Sequence, residues 1–351
     1  MACFAINGLR IEGISASVPS HIESNYDLDI LEPSERQKLI ASIGVENRRV
    51  SLEGMTSSDL CFCAAKNLLN SLNWDKKSVE CLIFVSQTPD YILPSTSCIL
   101  QDRLGLSTEC FAIDISLGCS GWVYGMAAIS SMMKSGKFKR GLLLAGEAGS
   151  KLVSPYDRSA KPLFGDAGTA TAISNDDSSD GFIFHTSIDG SGKDAIMVPG
   201  GMFRRPVSQS SFEYHEFDNG IKRNELNIVL NGMDVFSFAI SEVPKSIKAL
   251  LEYASLSLDD VDLFILHQAN KMINETVRNK LKIPKDKMLY SLKDYGNTSS
   301  ASIPLTIVAQ DSDLYKSKTL KCIASGFGVG LSWASIYFTL KDTVLLPIGV
   351  I

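Results

Sequence analysis

Three side chains in this sequence have the types and settings that nucleophilic chemistry needs: Cys119, His267 and Asn297. Cys119 lies in Leu-Gly-Cys-Ser-Gly at 117–121, between an apolar run at 110–115 and helical spacing at 123–133. A thiol at a helix N-terminus feels the positive end of the macrodipole, which favours thiolate over thiol. Gly118 and Gly121 let another backbone or a substrate approach closely. Taken alone, the segment reads slightly better as a buried core cysteine.

His267 ends the apolar run 263–266 and precedes Gln268, Ala269 and Asn270. Strand ends are where α/β proteins place catalytic groups, although a lone histidine there is structural more often than not. The other histidines are weaker candidates: His21 reads as surface, His185 as structural, and His215 falls in an irregular stretch. Asn297 follows Gly296 and precedes small residues, which by itself is only a turn. If the three meet, the imidazole stabilises the thiolate and the carboxamide donates to a developing oxyanion. The glycine-rich turn 326–330 leaves backbone N–H groups, Val329 among them, to pair with that of Cys119 as an oxyanion hole.

The elements that must position these residues repeat along the chain. Leu82-Ile-Phe-Val, followed by Ser86 and Gln87, recurs 181 residues later as Leu263-Phe-Ile-Leu, followed by His267 and Gln268. Leu142-Leu-Leu-Ala-Gly recurs at an offset of 180 as Cys322-Ile-Ala-Ser-Gly, and the same offset carries Cys119 onto Ser299. Agreement in offset, order and type points to a duplicated architecture of α/β layers. Its halves are read as 1–176 and 177–351, divided in the acidic cluster 174–181, with a loop insertion at 199–224.

Composition bounds the rest. The chain has 351 residues, 45% of them hydrophobic, enough for sizeable cores, and a net charge of -5 that gives no electrostatic case for nucleic acid. Its eight cysteines show neither zinc spacing nor a disulfide pattern. No run approaches a membrane span and no signal segment opens the sequence, so a cytoplasmic location is expected.

The motifs around Cys119, at 164–168 (Phe-Gly-Asp-Ala-Gly), at 267–270, at 296–299 and at 327–333 together resemble the β-ketoacyl-acyl carrier protein synthase III family. The resemblance spans essentially the whole chain. It implies a thiolase-like five-layered αβαβα fold with two duplicated halves, and a homodimer. It also implies that Cys119 accepts an acyl group from a thioester. His267 and Asn297 then drive decarboxylation of a malonyl-carrier protein, and the carbanion attacks the acyl-cysteine to give a 3-oxoacyl product. Acyl and malonyl thioesters are the substrates, and no metal or redox cofactor is required.

By the same resemblance, Leu93, Arg158, Phe164, Gly232 and Asn270 bind substrate, and Leu93 reaches the partner subunit's acyl pocket. Docking of the acyl carrier protein is read instead from local charge, onto Lys271, Arg278 and Lys280. They sit in a segment, 271–287, with a local excess of four positive charges. Other positions depart from the family. Lys38 and Ser42 replace the tryptophan and arginine that clasp the adenine of coenzyme A, Met233 replaces an asparagine on the pantetheine arm, and Met272 replaces a docking arginine. These departures favour a carrier-borne acyl donor, and they leave open transfer to a non-malonyl acceptor in a specialised pathway. A biosynthetic thiolase is disfavoured, because Asn297 stands where a second histidine is expected.

Overall fold

A computed structural model describes residues 2–315 and 319–351. The chain opens with strands β1 (Ala2–Ile6) and β2 (Leu9–Val18), followed by helices α1 (Pro33–Ile43) and α2 (Ser57–Ser71). Strand and helix then alternate through β3 (Cys81–Val85), α3 (Thr96–Leu104), β4 (Phe111–Ile115), α4 (Gly121–Gly136), β5 (Arg140–Glu147) and β6 (Ala167–Asn175). The second half runs through β7 (Phe182–Ile188), α5 (Gly232–Ala254), β8 (Leu263–Leu266), α6 (Lys271–Leu281) and α7 (Ser302–Val308). It closes with β9 (Leu320–Gly328), β10 (Ser332–Leu340), β11 (Val344–Leu345) and β12 (Gly349–Val350).

The strands form two large sheets. One has the order β11-β2-β6-β5-β3-β4, with β12 also on β2, and the other has the order β1-β7-β10-β9-β8. In each, the first apolar strand of the echo pairs parallel with the second: β3 with β5, and β8 with β9. A further match to β4 survives only as a parallel bridge between Phe264 and Met288. The 174–181 cluster joins β6 in one sheet to β7 in the other. The terminal strands cross over, because β1 belongs to the second sheet and β11 and β12 to the first.

Layering follows from which face of each strand is apolar. On β3 and β5, Leu82, Phe84, Leu142 and Leu144 pack outward against Leu68 of α2 and Leu100 of α3. Their neighbours Ile83, Val85, Leu143 and Ala145 face inward, onto Val123, Met126 and Ile129 of α4. The second sheet turns Ile265, Cys322 and Ala324 into the same central layer, beside Ile303, Leu305 and Ile307 of α7. Its outer face, through Phe264, Leu266 and Phe327, buries Val243, Ile247 and Leu250 of α5 with Ile273 and Val277 of α6. Strands covered on both faces must be apolar at every position, which is why β3 and β8 read as continuous runs. The result is αβαβα, with α4 and α7 back to back in the middle.

Candidate active site

The central layer puts Cys119 at the mouth of α4. The Gly121 N–H donates to the Gly118 carbonyl at 2.6 Å, which closes a tight elbow after β4. Strand β9 passes directly beneath. A Cβ at Gly328 would lie 2.7 Å from both Cβ and Sγ of Cys119, and one at Gly326 would lie 2.7 Å from the Cys119 carbonyl oxygen. Only glycine permits that approach. The Cys119 and Val329 N–H groups both come within hydrogen-bonding reach of the sulfur. Sγ also lies 3.8 Å from Ser299 Oγ, the position that the 180-residue offset assigns as its counterpart.

Burial pushes the Cys119 thiol up to about 11, and the hydrogen bonds from Ser299, Val329 and its own amide offset this only in part. At rest the group is therefore a thiol. The helix N-terminus was expected to favour thiolate, but complete desolvation outweighs it.

His267 caps β8, its N–H donating to the Ser325 carbonyl of β9 at 2.8 Å. The ring is held by Ser302 Oγ, 2.8 Å from Nδ1, and lies edge-on to Phe327 with centroids 5.4 Å apart. Burial pushes the imidazole down to about 3, so it is neutral at physiological pH. Asn297 is fixed by its backbone, which donates to the Leu163 carbonyl at 2.8 Å and accepts from Gly165 N–H at 3.1 Å. Its Oδ1 accepts the Ser299 N–H at 2.9 Å, leaving the NH2 group as the free donor.

Cys119, His267 and Asn297 line one cavity of about 80 Å³, together with Phe164, Asn270, Phe327 and Val329. Asn270 also caps α6, its Oδ1 accepting the Ile273 N–H at 2.8 Å. The same Asn270, with Leu230 and Ile273, lines a groove of about 1120 Å³ whose other walls include Phe217, Arg223, Gly232, Met233 and Met272. A third hollow of about 780 Å³ shares Gln87 with the inner cavity and is lined by Tyr91, Ile92 and Met202. The groove and the inner cavity that holds the sulfur thus share Leu230, Asn270 and Ile273 as walls, and both are lined mostly by apolar groups, as thioester sites are.

Other expected residues fall elsewhere. Leu93 is 82% exposed on the loop after β3, outside the inner cavity. Arg158 lines none of these hollows and bonds to Glu35 of α1 at 2.8 Å. Arg278 is largely enclosed, holding Glu275 at 2.8 Å and the Ile283 carbonyl at 2.8 Å, contacts that tie down the end of α6. Lys271 is exposed next to the groove, and Lys280 reaches back to the Ile240 carbonyl at 3.1 Å. The 199–224 region is also more ordered than an irregular loop. It carries a hairpin, His215–Phe217 with Ile221–Arg223, which supplies a wall of the groove.

Sequence reasoning missed four contributors: Ser299, Ser302, Gln87 and Glu147. Ser299 was flagged by the offset without a role. Glu147, at the end of β5, is buried and pushed up to about 7 by desolvation. It accepts from the Gln87 N–H at 3.1 Å and the Thr88 hydroxyl at 2.9 Å. A charged residue ending a buried strand was the available signal, the same one that singled out His267. Among the described residues no group of His, Cys, Asp or Glu is placed to hold a metal, and no helix is long and apolar enough to cross a membrane.

Comparison with known proteins bears directly on this site. Residues 113–192 match the family model described as 3-oxoacyl-[acyl-carrier-protein] synthase III, and residues 251–340 match that of its C-terminal part. A β-ketoacyl-[acyl-carrier-protein] synthase III of Caldanaerobacter subterraneus is 32% identical, over 93% of this chain and 96% of the relative. One of Lactococcus lactis is 31% identical, over 94% of this chain and 99% of the relative. The solved 3-oxoacyl-(acyl-carrier protein) synthase of Burkholderia xenovorans superposes with a TM-score of 0.93 at 34% identity, covering 100% of this chain and 99% of that one.

Proposed function

This chain belongs to the 3-oxoacyl-[acyl-carrier-protein] synthase III family and is a thiolase-fold condensing acyltransferase, and we propose that it works through Cys119, His267 and Asn297. The observation that carries the assignment is that these three residues, from three separate loops, line one cavity of about 80 Å³.

In the first half-reaction the Cys119 sulfur attacks an acyl thioester. The tetrahedral oxyanion is held by the N–H groups of Cys119 and Val329. Collapse expels the donor thiolate, which takes up the proton the Cys119 thiol gives up. In the second, malonyl-carrier protein enters along the groove past Gly232 and Asn270. With the Ser302 hydroxyl, 2.8 Å from Nδ1 of His267, as the donor of that pair, the neutral ring carries its proton on Nε2. That N–H and the Asn297 NH2 group hold the malonyl thioester oxygen as carbon dioxide leaves and enolate charge develops. The enolate carbon attacks the acyl-cysteine, the C–S bond breaks, Cys119 leaves as thiolate and takes up one proton from solvent to regain its resting thiol, and the 3-oxoacyl product leaves on the carrier. A neutral imidazole suits this work, because the site must donate hydrogen bonds rather than abstract a proton. Decarboxylation supplies the carbanion, so the scheme calls on no metal or redox cofactor.

The family favours malonyl thioester over a non-malonyl acceptor. The family points to an acyl-CoA donor, with Lys38 and Ser42 standing where a stacking surface and a cation would clasp its adenine. The carrier docks at the groove mouth beside Lys271. The exposed Leu93 fits a homodimer in which each subunit's loop closes the other's acyl pocket.

The test is direct. Protein incubated with acyl thioester gains a single acyl mass that is absent in Cys119→Ala, and it then releases labelled carbon dioxide from malonyl-carrier protein. An adduct that survives the substitution overturns the nucleophile assignment.

A further inference from the structure

Ser299 touches every member of the site. Its hydroxyl lies 3.8 Å from Cys119 Sγ, its N–H is held by Asn297 Oδ1 at 2.9 Å, and its carbonyl is within hydrogen-bonding reach of the His267 ring. It adopts φ 49, a left-handed conformation unusual for a residue with a Cβ. Such geometry persists only where its surroundings fix it, and here those surroundings are the reacting groups.

A neutral His267 has no positive charge to offer a thiolate, so the ion pair that activates many nucleophilic cysteines is missing. Ser299 supplies the one side-chain hydrogen bond given to the sulfur among the described residues. We propose that Ser299 is a catalytic hydrogen-bond donor whose hydroxyl stabilises the Cys119 thiolate, the part an imidazolium plays where histidine is charged. No bond to Ser299 breaks. The hydroxyl keeps its proton, and the thiol's proton leaves with the expelled donor thiolate. The inference rests on Cys119 being the nucleophile.

Alkylation by iodoacetamide from about pH 6 to about pH 10 tests it in the full chain. Peptide mapping reports Cys119, and the exposed Cys98 serves as internal reference. The titratable groups facing Cys119, His267 from the end of β8 and Glu147 from the end of β5, are retained in every variant. Ser299→Ala and Ser299→Gly should both slow alkylation of Cys119 about tenfold at every pH in this range, all of it below the thiol's value of about 11, the size of a hydrogen bond to a charged group. Cys98 should not change. Profiles that coincide with the wild type overturn the proposal. So does a Gly variant that reacts normally while Ala does not, since that would assign the effect to backbone strain. Wild-type protein that takes no acyl group from a thioester, while its alkylation profile still depends on Ser299, overturns the nucleophile reading instead.

Discussion

The ends of β3 and β8 occupy the same place in two matching sheets, yet they do opposite things. After β3 come Ser86 and Gln87, and after β8 come His267 and Gln268. In the first pair it is the second residue, Gln87, that reaches the cavity, while Ser86 is buried against Glu147 at 3.3 Å. In the second pair the first residue, His267, reaches it, and Gln268 turns away to the Leu266 carbonyl at 2.7 Å. The other echoed pair differs as sharply. Glu147 ends β5, whereas the matching place on β9 holds Phe327, packed edge-on to His267. Duplication therefore supplies positions that converge on the central layer, and each half fills them with different chemistry.

The largest expected effect tests whether that division is functional. His267→Ala should leave acylation of Cys119 intact but slow carbon dioxide release on the order of 10²–10³-fold, the cost of losing an oxyanion donor. Ser86→Ala, at the matching position, should change it by less than about threefold. Stopped assays with labelled malonyl-carrier protein compare the two. Equal effects, or undiminished release without His267, would break the contrast.

The next effect is on stability, and it has opposite signs in the two halves. His267 has a folded value of about 3, below its ordinary 6.5. Its contribution is present above pH 6.5 and is lost as pH falls from there through about 3. Glu147 has a folded value of about 7, above its ordinary 4.5. Its contribution is full below pH 4.5 and fades as pH rises through about 7. Urea unfolding across this range should show an acid limb that flattens in His267→Ala and an alkaline limb that flattens in Glu147→Gln. The alkaline loss is on the order of 3 kcal/mol. Unchanged limbs would place the pH response outside this site.

Much of this site was legible in the sequence. Continuous apolar runs betrayed the strands because both faces are covered, and glycines marked where β9 passes under Cys119. The offset placed Ser299 opposite Cys119 before any geometry was known. What was not legible depends on distances between remote segments. Arg278 reads as a surface cation because charge patterning along a helix does not show that Glu275 and the Ile283 carbonyl enclose it. The resting thiol was hidden for the same reason. A helix N-terminus is visible in sequence, but the burial that outweighs it comes from β9 and the turn at Asn297. Met233 is 74% exposed on the groove, so its substitution for a polar family residue became meaningful only once the groove was seen.

The smallest effect separates the two glutamines. Gln268 is fully buried, its NH2 group donating to Leu266 and its oxygen accepting the Ser291 N–H at 3.0 Å. Gln268→Ala strands both backbone partners and should cost about 1–3 kcal/mol of stability. Gln87 stands over Gly118 in the elbow, with its side chain on the cavity wall. Gln87→Ala should leave unfolding within about 0.5 kcal/mol of wild type, yet lower kcat/KM several-fold by loosening the floor beneath the acyl-cysteine. Unfolding curves and steady-state rates on both variants decide the matter. If Gln87→Ala destabilises as much as Gln268→Ala, the two strand ends are equivalent supports, and only His267 distinguishes the halves.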